Sequence, residues 1–126
     1  MGFRLGSVSS TTIQNAALPA SDTIVLLSPP LNIPLDNVQV QLWWFLQMAT
    51  GVGGTVIVWK VSRGSVVSGS PLFSGSLTTV ASTNVFIVGC QVDTPGAVGG
   101  VQYNLSINDN GGGGTAQFGC ILAACL

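Results

Sequence analysis

Between Val38 and Met48 the side chains fall alternately on two faces: Val38, Val40, Leu42, Trp44, Leu46 and Met48 on one, Gln39, Gln41, Trp43, Phe45 and Gln47 on the other. A period of two belongs to an extended chain, in which successive side chains point to opposite sides of a sheet. The first face is apolar throughout and reads as core. The second is polar at its ends and aromatic in its middle, so it calls for cover by a loop, a second layer or a neighbouring subunit. Trp43 and Phe45 are accordingly candidates for core packing or for contact between subunits, and the sequence leaves both open.

The same period recurs along the chain. Thr55 to Arg63 sets Val56, Val58 and Lys60 against Ile57, Trp59, Val61 and Arg63, which adds Trp59 to the packing candidates. Val101, Tyr103, Leu105 and Ile107 alternate with Gln102, Asn104, Ser106 and Asn108, which predicts a half-exposed strand. Further strands are expected over Thr11–Ala17, Asp22–Leu27, Leu72–Val80, Asn84–Val92 and Thr115–Leu126. The last places Phe118, Cys120, Leu122 and Ala124 on one face. It stays apolar on both faces to Leu126, so it is expected to lie centrally in a sheet or to dock on a partner.

The breaks between strands are equally legible. Pro29, Pro30 and Pro34 remove ladder donors from Ser28–Asn37, which reads as a crossover between two sheets rather than a strand. Thr50-Gly51-Val52-Gly53-Gly54 and Asp109-Asn110 with its four following glycines are each expected to close a hairpin. In Asp93-Thr94-Pro95-Gly96 the Asp accepts from the backbone, the Pro fixes one dihedral and the Gly takes the left-handed position. Seven to nine short strands with this punctuation predict one all-β domain over residues 11–126, a single-domain antiparallel β-sandwich of jelly-roll type, preceded by an extended N-terminal arm at residues 1–10.

Charge narrows the function. The chain of 126 residues carries three basic and four acidic side chains, 6% in all and no His, where soluble domains carry about 25%. A monomer of this mass exposes roughly 6,300 Å², or on the order of 900 Å² per charge, which favours burying surface against partners. Three scattered cations form no phosphate-binding patch, so no nucleic-acid partner is expected. No run reaches the roughly 18 apolar residues of a spanning helix, and Gly6, Ser7, Ser9 and Ser10 interrupt any leader, so neither membrane nor secretion signal is expected.

Catalysis and cofactors lack material. Without His the usual general base is missing, and the four aspartates border turns rather than forming a carboxylate pair. Cys90, Cys120 and Cys125 are an odd set in apolar segments and read as buried thiols, so no metal site or cofactor is expected. The Asp109 loop lacks the acidic ligands and closing Glu of a calcium site, and Gly53-Gly54-Thr55 lacks the Gly-Lys pair of a phosphate loop. Asn104-Leu105-Ser106 matches the glycosylation triplet incidentally. A carbohydrate platform of Trp43, Trp44, Trp59 and Tyr103 is the rival to an assembly role, although dense alternation favours packing.

The run Leu18-Pro19-Ala20-Ser21-Asp22-Thr23, the strand end Lys60-Val61-Ser62-Arg63-Gly64, Asp93-Thr94-Pro95-Gly96 followed by Val101-Gln102-Tyr103-Asn104-Leu105, and the closing apolar strand together resemble a β-sandwich domain of tailed-bacteriophage virion proteins, which includes capsid-decorating (cement) proteins and tail-fibre tips. The sequence departs from that pattern at Ala124-Cys125-Leu126 and at the Trp43-Trp44-Phe45 cluster. The resemblance implies a homotrimer on the virion surface that binds the major capsid protein and reinforces the shell. On that reading Trp43, Phe45, Trp59 and Leu126 form core or intersubunit packing, Phe3, Arg4 and Leu5 belong to a capsid-contacting arm, and no residue is catalytic. A tail-fibre tip that binds a receptor or carbohydrate is the alternative.

Overall fold

A computed structural model of the protein describes residues 8–34, 38–67, 70–96 and 99–126. Its strands are β1 (Val8–Ala17), β2 (Thr23–Leu27), β3 (Leu31–Ile33), β4 (Val40–Ala49), β5 (Val56–Arg63), β6 (Phe73–Thr78), β7 (Asn84–Asp93), β8 (Gly99–Val101), β9 (Tyr103–Asn108) and β10 (Thr115–Cys125). The pairing is nested and antiparallel: β5 with β6, β4 with β7, β3 with β8, β2 with β9, β1 with β10. The chain is thus a long double ribbon that turns back between β5 and β6. Two further contacts, β10 beside β4 and β5 beside β9, roll the ribbon into sheet A, ordered β1-β10-β4-β7, and sheet B, ordered β2-β9-β5-β6. A ribbon rolled into two facing sheets is a jelly roll, the fold expected from the sequence.

The core lies between the sheets. Val40, Leu42, Trp44, Leu46 and Met48 of β4 meet Ile87, Ile121 and Ala123 on the inner face of sheet A; Leu26, Ile57, Val61, Tyr103, Leu105 and Ile107 come from sheet B. Two tryptophans lie across glycines on the neighbouring strand. Trp44 covers its register partner Gly89, and Trp59 covers Gly75, so that a Cβ at either glycine would overlap the indole. Trp44 also spans the gap to Phe73 of sheet B, with ring centroids 5.2 Å apart.

Four local expectations need correction. The glycine-rich loops at 50–54 and 109–114 close no hairpin: each carries the chain from one sheet to the other. They use glycine because they pack on each other, with Val52 N–H donating to Gly112 O at 2.8 Å and no room for a Cβ at Gly51. Within the proline-rich crossover, Leu31 and Ile33 are buried and β3 forms a short ladder with β8, flanked rather than broken by the prolines. The strand from Tyr103 is not half-exposed. Flanked by β2 and β5, it buries Asn104 and Ser106 as well, and Asn104 Nδ2 donates to Gly64 O at 2.8 Å beneath the loop after β5. Asn104 therefore has no free amide for glycosylation. Asp93 does not cap its turn but is buried as the acceptor of an ion pair described below, while Gly96 takes the left-handed conformation (φ 73°) as expected.

β10 sits inside sheet A between β1 and β4, in keeping with an apolar strand that buries both sides. β1 begins at Val8, opposite Ala124, so residues 8–10 already belong to the sheet. The remainder of the arm, with Phe3, Arg4 and Leu5, lies outside the described residues.

Candidate interaction surface

The outer face of sheet A assembles the odd-numbered side of β4 with its neighbours. Trp43 stands between Leu122 of β10 and Cys90 of β7; Phe45 stands between Cys120 and Val88; Gln47 stands between Phe118 and Phe86; Gln41 stands between Ala124 and Val92. A β-bulge at Ala116/Phe118 sets this register and keeps Phe118 on the outer side. Phe45 is half-buried at the centre of an aromatic cluster, 5.9 Å from Phe86 and 6.0 Å from Phe118, both tilted. Trp43 is 42%, Phe86 59%, Val88 71% and Phe118 40% exposed.

Among the described residues no charged side chain lies on this face, and the polar groups that flank its centre on β4 are amides. Gln47 donates to Gln117 at 2.8 Å, and the Gln41 amide turns back to Leu42 O at 3.2 Å, so the flanking amides are engaged with the protein. Every charged side chain among the described residues lies elsewhere. Lys60 pairs with Asp22 at 3.0 Å outside sheet B, Asp109 receives Gly114 N–H at 2.7 Å inside its loop, and Arg63 pairs with Asp93 at the end of the sandwich.

That last pair is part of a clamp between the sheets. Arg63 Nε donates to Asp93 Oδ2 at 2.8 Å, its Nη2 donates to Oδ1, and the buried Tyr103 hydroxyl donates to Oδ2 at 2.8 Å. Burial, reinforced by the bond to Asp93, pushes the Tyr103 phenol well above its ordinary value. The bond to Asp93 likewise raises Arg63. Beside the clamp lies an open cleft of about 390 Å³ lined by Pro30, Arg63, Ser65 and Val101. Its one cation is already committed to Asp93. Among the described residues no cluster that could hold a metal ion is assembled, and no helix is long and apolar enough to cross a membrane.

The packing candidates separate. Trp43 and Phe45 share the outer face of sheet A. Trp59 is partly buried against the core, over Gly75, and its indole N–H finds no partner among the described residues. Leu126 is 58% exposed at the end of β10. The sequence reading missed Phe86, Val88 and Phe118 as members of one surface, since only the register brings β4, β7 and β10 side by side. It also placed all three thiols in the interior. Cys125 is buried, but Cys90 is exposed and Cys120 half-buried on this same face. With β4 between them and a two-residue offset along it, Cys90 and Cys120 stand roughly 12 Å apart, beyond disulfide reach.

No known protein family and no curated protein matches the sequence. The fold is shared with solved structures at low identity. The chain is similar to a protein of the infectious bursal disease virus particle, with a TM-score of 0.60 and 8% identity, covering 94% of this chain and 31% of that one. It is similar to VP2 of the subviral particle of the same virus, with a TM-score of 0.54 and 9% identity over 94% and 32% of the two chains. It is also similar to a disulfide-linked pilus protein of Bacillus endospore appendages, with a TM-score of 0.50 and 8% identity over 98% and 92%. The chain spans about a third of the viral proteins it matches. At these identities the likeness establishes a jelly-roll-like sandwich of the kind used by several viral structural proteins.

Proposed function

We propose that the chain is a non-catalytic structural module of a virus particle, a capsid decoration (cement) protein that sits on the outer capsid surface as a homotrimer and stabilises the shell. The observation that carries this reading is the outer face of sheet A: a surface centred on Phe45, Phe86 and Phe118 that, among the described residues, carries no charged side chain and is left uncovered. Burying such a face supplies affinity through apolar area at about 25 cal/mol per Å². In this assembly Trp43 and Phe45 lie between copies, and the segment before β1, with Phe3, Arg4 and Leu5, reaches the major capsid protein. The fold shared with viral particle proteins supports the setting.

The test is to image purified particles with the chain labelled, and to compare particles with and without it. Label on the shell and a lower heat or osmotic threshold in its absence are expected; label at the tail tip, or unchanged particle strength, overturns the reading. A second reading, a carbohydrate-binding tip, draws on the exposed ring of Trp43. It is weakened by Gln41 and Gln47, whose amides are engaged with the protein rather than offered beside the ring. Retention on glycans that is lost in Trp43→Ala would favour it.

A further inference from the structure

Sheet A has two edges, and they differ. At β1, Asn15 takes the left-handed conformation (φ 49°) and drops out of the register, which breaks the edge. The edges of sheet B are also limited: β2 by a register shift between Ile24 and Leu26, and β6 by its length of only six residues. β7 has none of these devices. It pairs with β4 without a shift from Asn84 to Asp93, contains no proline and no Lys, and its one charge, Asp93, is turned inward onto Arg63. Among the described residues no strand lies against its other edge. Proteins ordinarily blunt such an edge with charge, proline or a bulge, because a row of unpaired N–H and C=O groups recruits another strand.

We propose that β7 pairs antiparallel with the β7 of a second copy, joining two sheets A into one continuous sheet. The occupant of a backbone edge must itself be an extended strand with an open edge, and β7, ten residues long with its one charge turned inward onto Arg63, meets this requirement in every copy. Antiparallel pairing keeps side chains of one face together. About a twofold axis at Gly89, Phe86 then stands opposite Val92 of the second copy and Val88 opposite its Cys90. The outer face, roughly 600 Å² from strand spacing and rise, runs on without a break into that of the second copy. Pairing of the full strands supplies about ten backbone hydrogen bonds. This contact is twofold and goes beyond the threefold association proposed above; with both present, trimers are linked at their rims into a net.

The experiment is hydrogen exchange on the intact chain at low and high micromolar concentration, together with mass by analytical ultracentrifugation. Slowing of alternate β7 amides by at least tenfold as concentration rises is expected, since every second N–H points to the open edge. Two variants isolate the contact. Of Cys90→Pro and Gln91→Pro, one removes an N–H that faces β4 and the other an N–H that faces outward; the second is expected to keep the native circular dichroism and lose the twofold species. If neither folds, the exchange measurement on the unmodified chain decides. Trp43→Ser, which leaves the β7 edge intact, is expected to abolish threefold association and keep dimers, so the two contacts fail separately. A chain that stays monomeric, or one that associates while its β7 amides exchange at the monomer rate, overturns the proposal.

Discussion

Gly89 and Gly75 mark where a missing side chain is the structural requirement. Each lies under a cross-strand indole, so Gly89→Val forces Trp44 off its rotamer in the centre of the core; a loss of about 1–3 kcal/mol is expected, read by urea denaturation. Asp93 carries the opposite kind of demand, since its carboxylate collects Arg63 and Tyr103 at once. Asp93→Asn keeps one acceptor but loses the ion pair; because Arg63 is 41% exposed, screening holds the expected cost to about 1–2 kcal/mol. Tyr103 is the only tyrosine, so absorbance of the phenolate reports it alone. Its folded-state value lies above the ordinary value of about 10, so its contribution to stability is complete below pH ~10 and falls as pH rises past that point. Phenolate absorbance is expected to appear together with unfolding, and Tyr103→Phe is expected to remove this alkaline loss of stability. None of the three roles could be read from sequence, because each depends on a residue 10 to 45 positions away: Asp93 had a sufficient explanation as a turn residue, and the two glycines looked like any others.

Strands were the legible level. Alternation located β1, β2, β4, β5, β6, β7, β9 and β10 within a few residues, since period two is imposed locally by the pleat. It could not show partners. Glycine-rich loops between apolar strands read as hairpins at 50–54 and 109–114, yet the nested pairing sends each across the sandwich. The same limit hid the surface: the β4 alternation isolated Trp43 and Phe45, but Phe86 and Phe118 join them only through the β4–β7 and β4–β10 registers. Because the outer face contributes little to the core, Phe118→Ser is expected to leave chain stability within about 0.5 kcal/mol. Association should instead weaken at least about tenfold, as for an aromatic anchor, when both are measured by denaturation and sedimentation.

At the scale of the molecule, charge is segregated. Sheet A presents no outward charge among the described residues, while Lys60, Asp22, Arg63 and Asp109 belong to sheet B and the connecting loops. Association through sheet A is therefore expected to be indifferent to sodium chloride and strengthened by ammonium sulfate, the reverse of a charge-steered complex; the association constant across the two salts checks this. The scarcity of charge that first pointed to a partner thus acquires a location. The nested ribbon has a further consequence, for synthesis. β1 leaves the ribosome about a hundred residues before β10, the strand it must pair with, which at roughly 5–20 residues per second is a wait of 5–20 s. β4 waits as well, with Trp43 and Phe45 in place and one side of its ladder open until β10 emerges. Any nascent chain that stalls after β9 therefore holds the aromatic strand without its neighbour, so translation through β10 decides when the open side of that ladder closes.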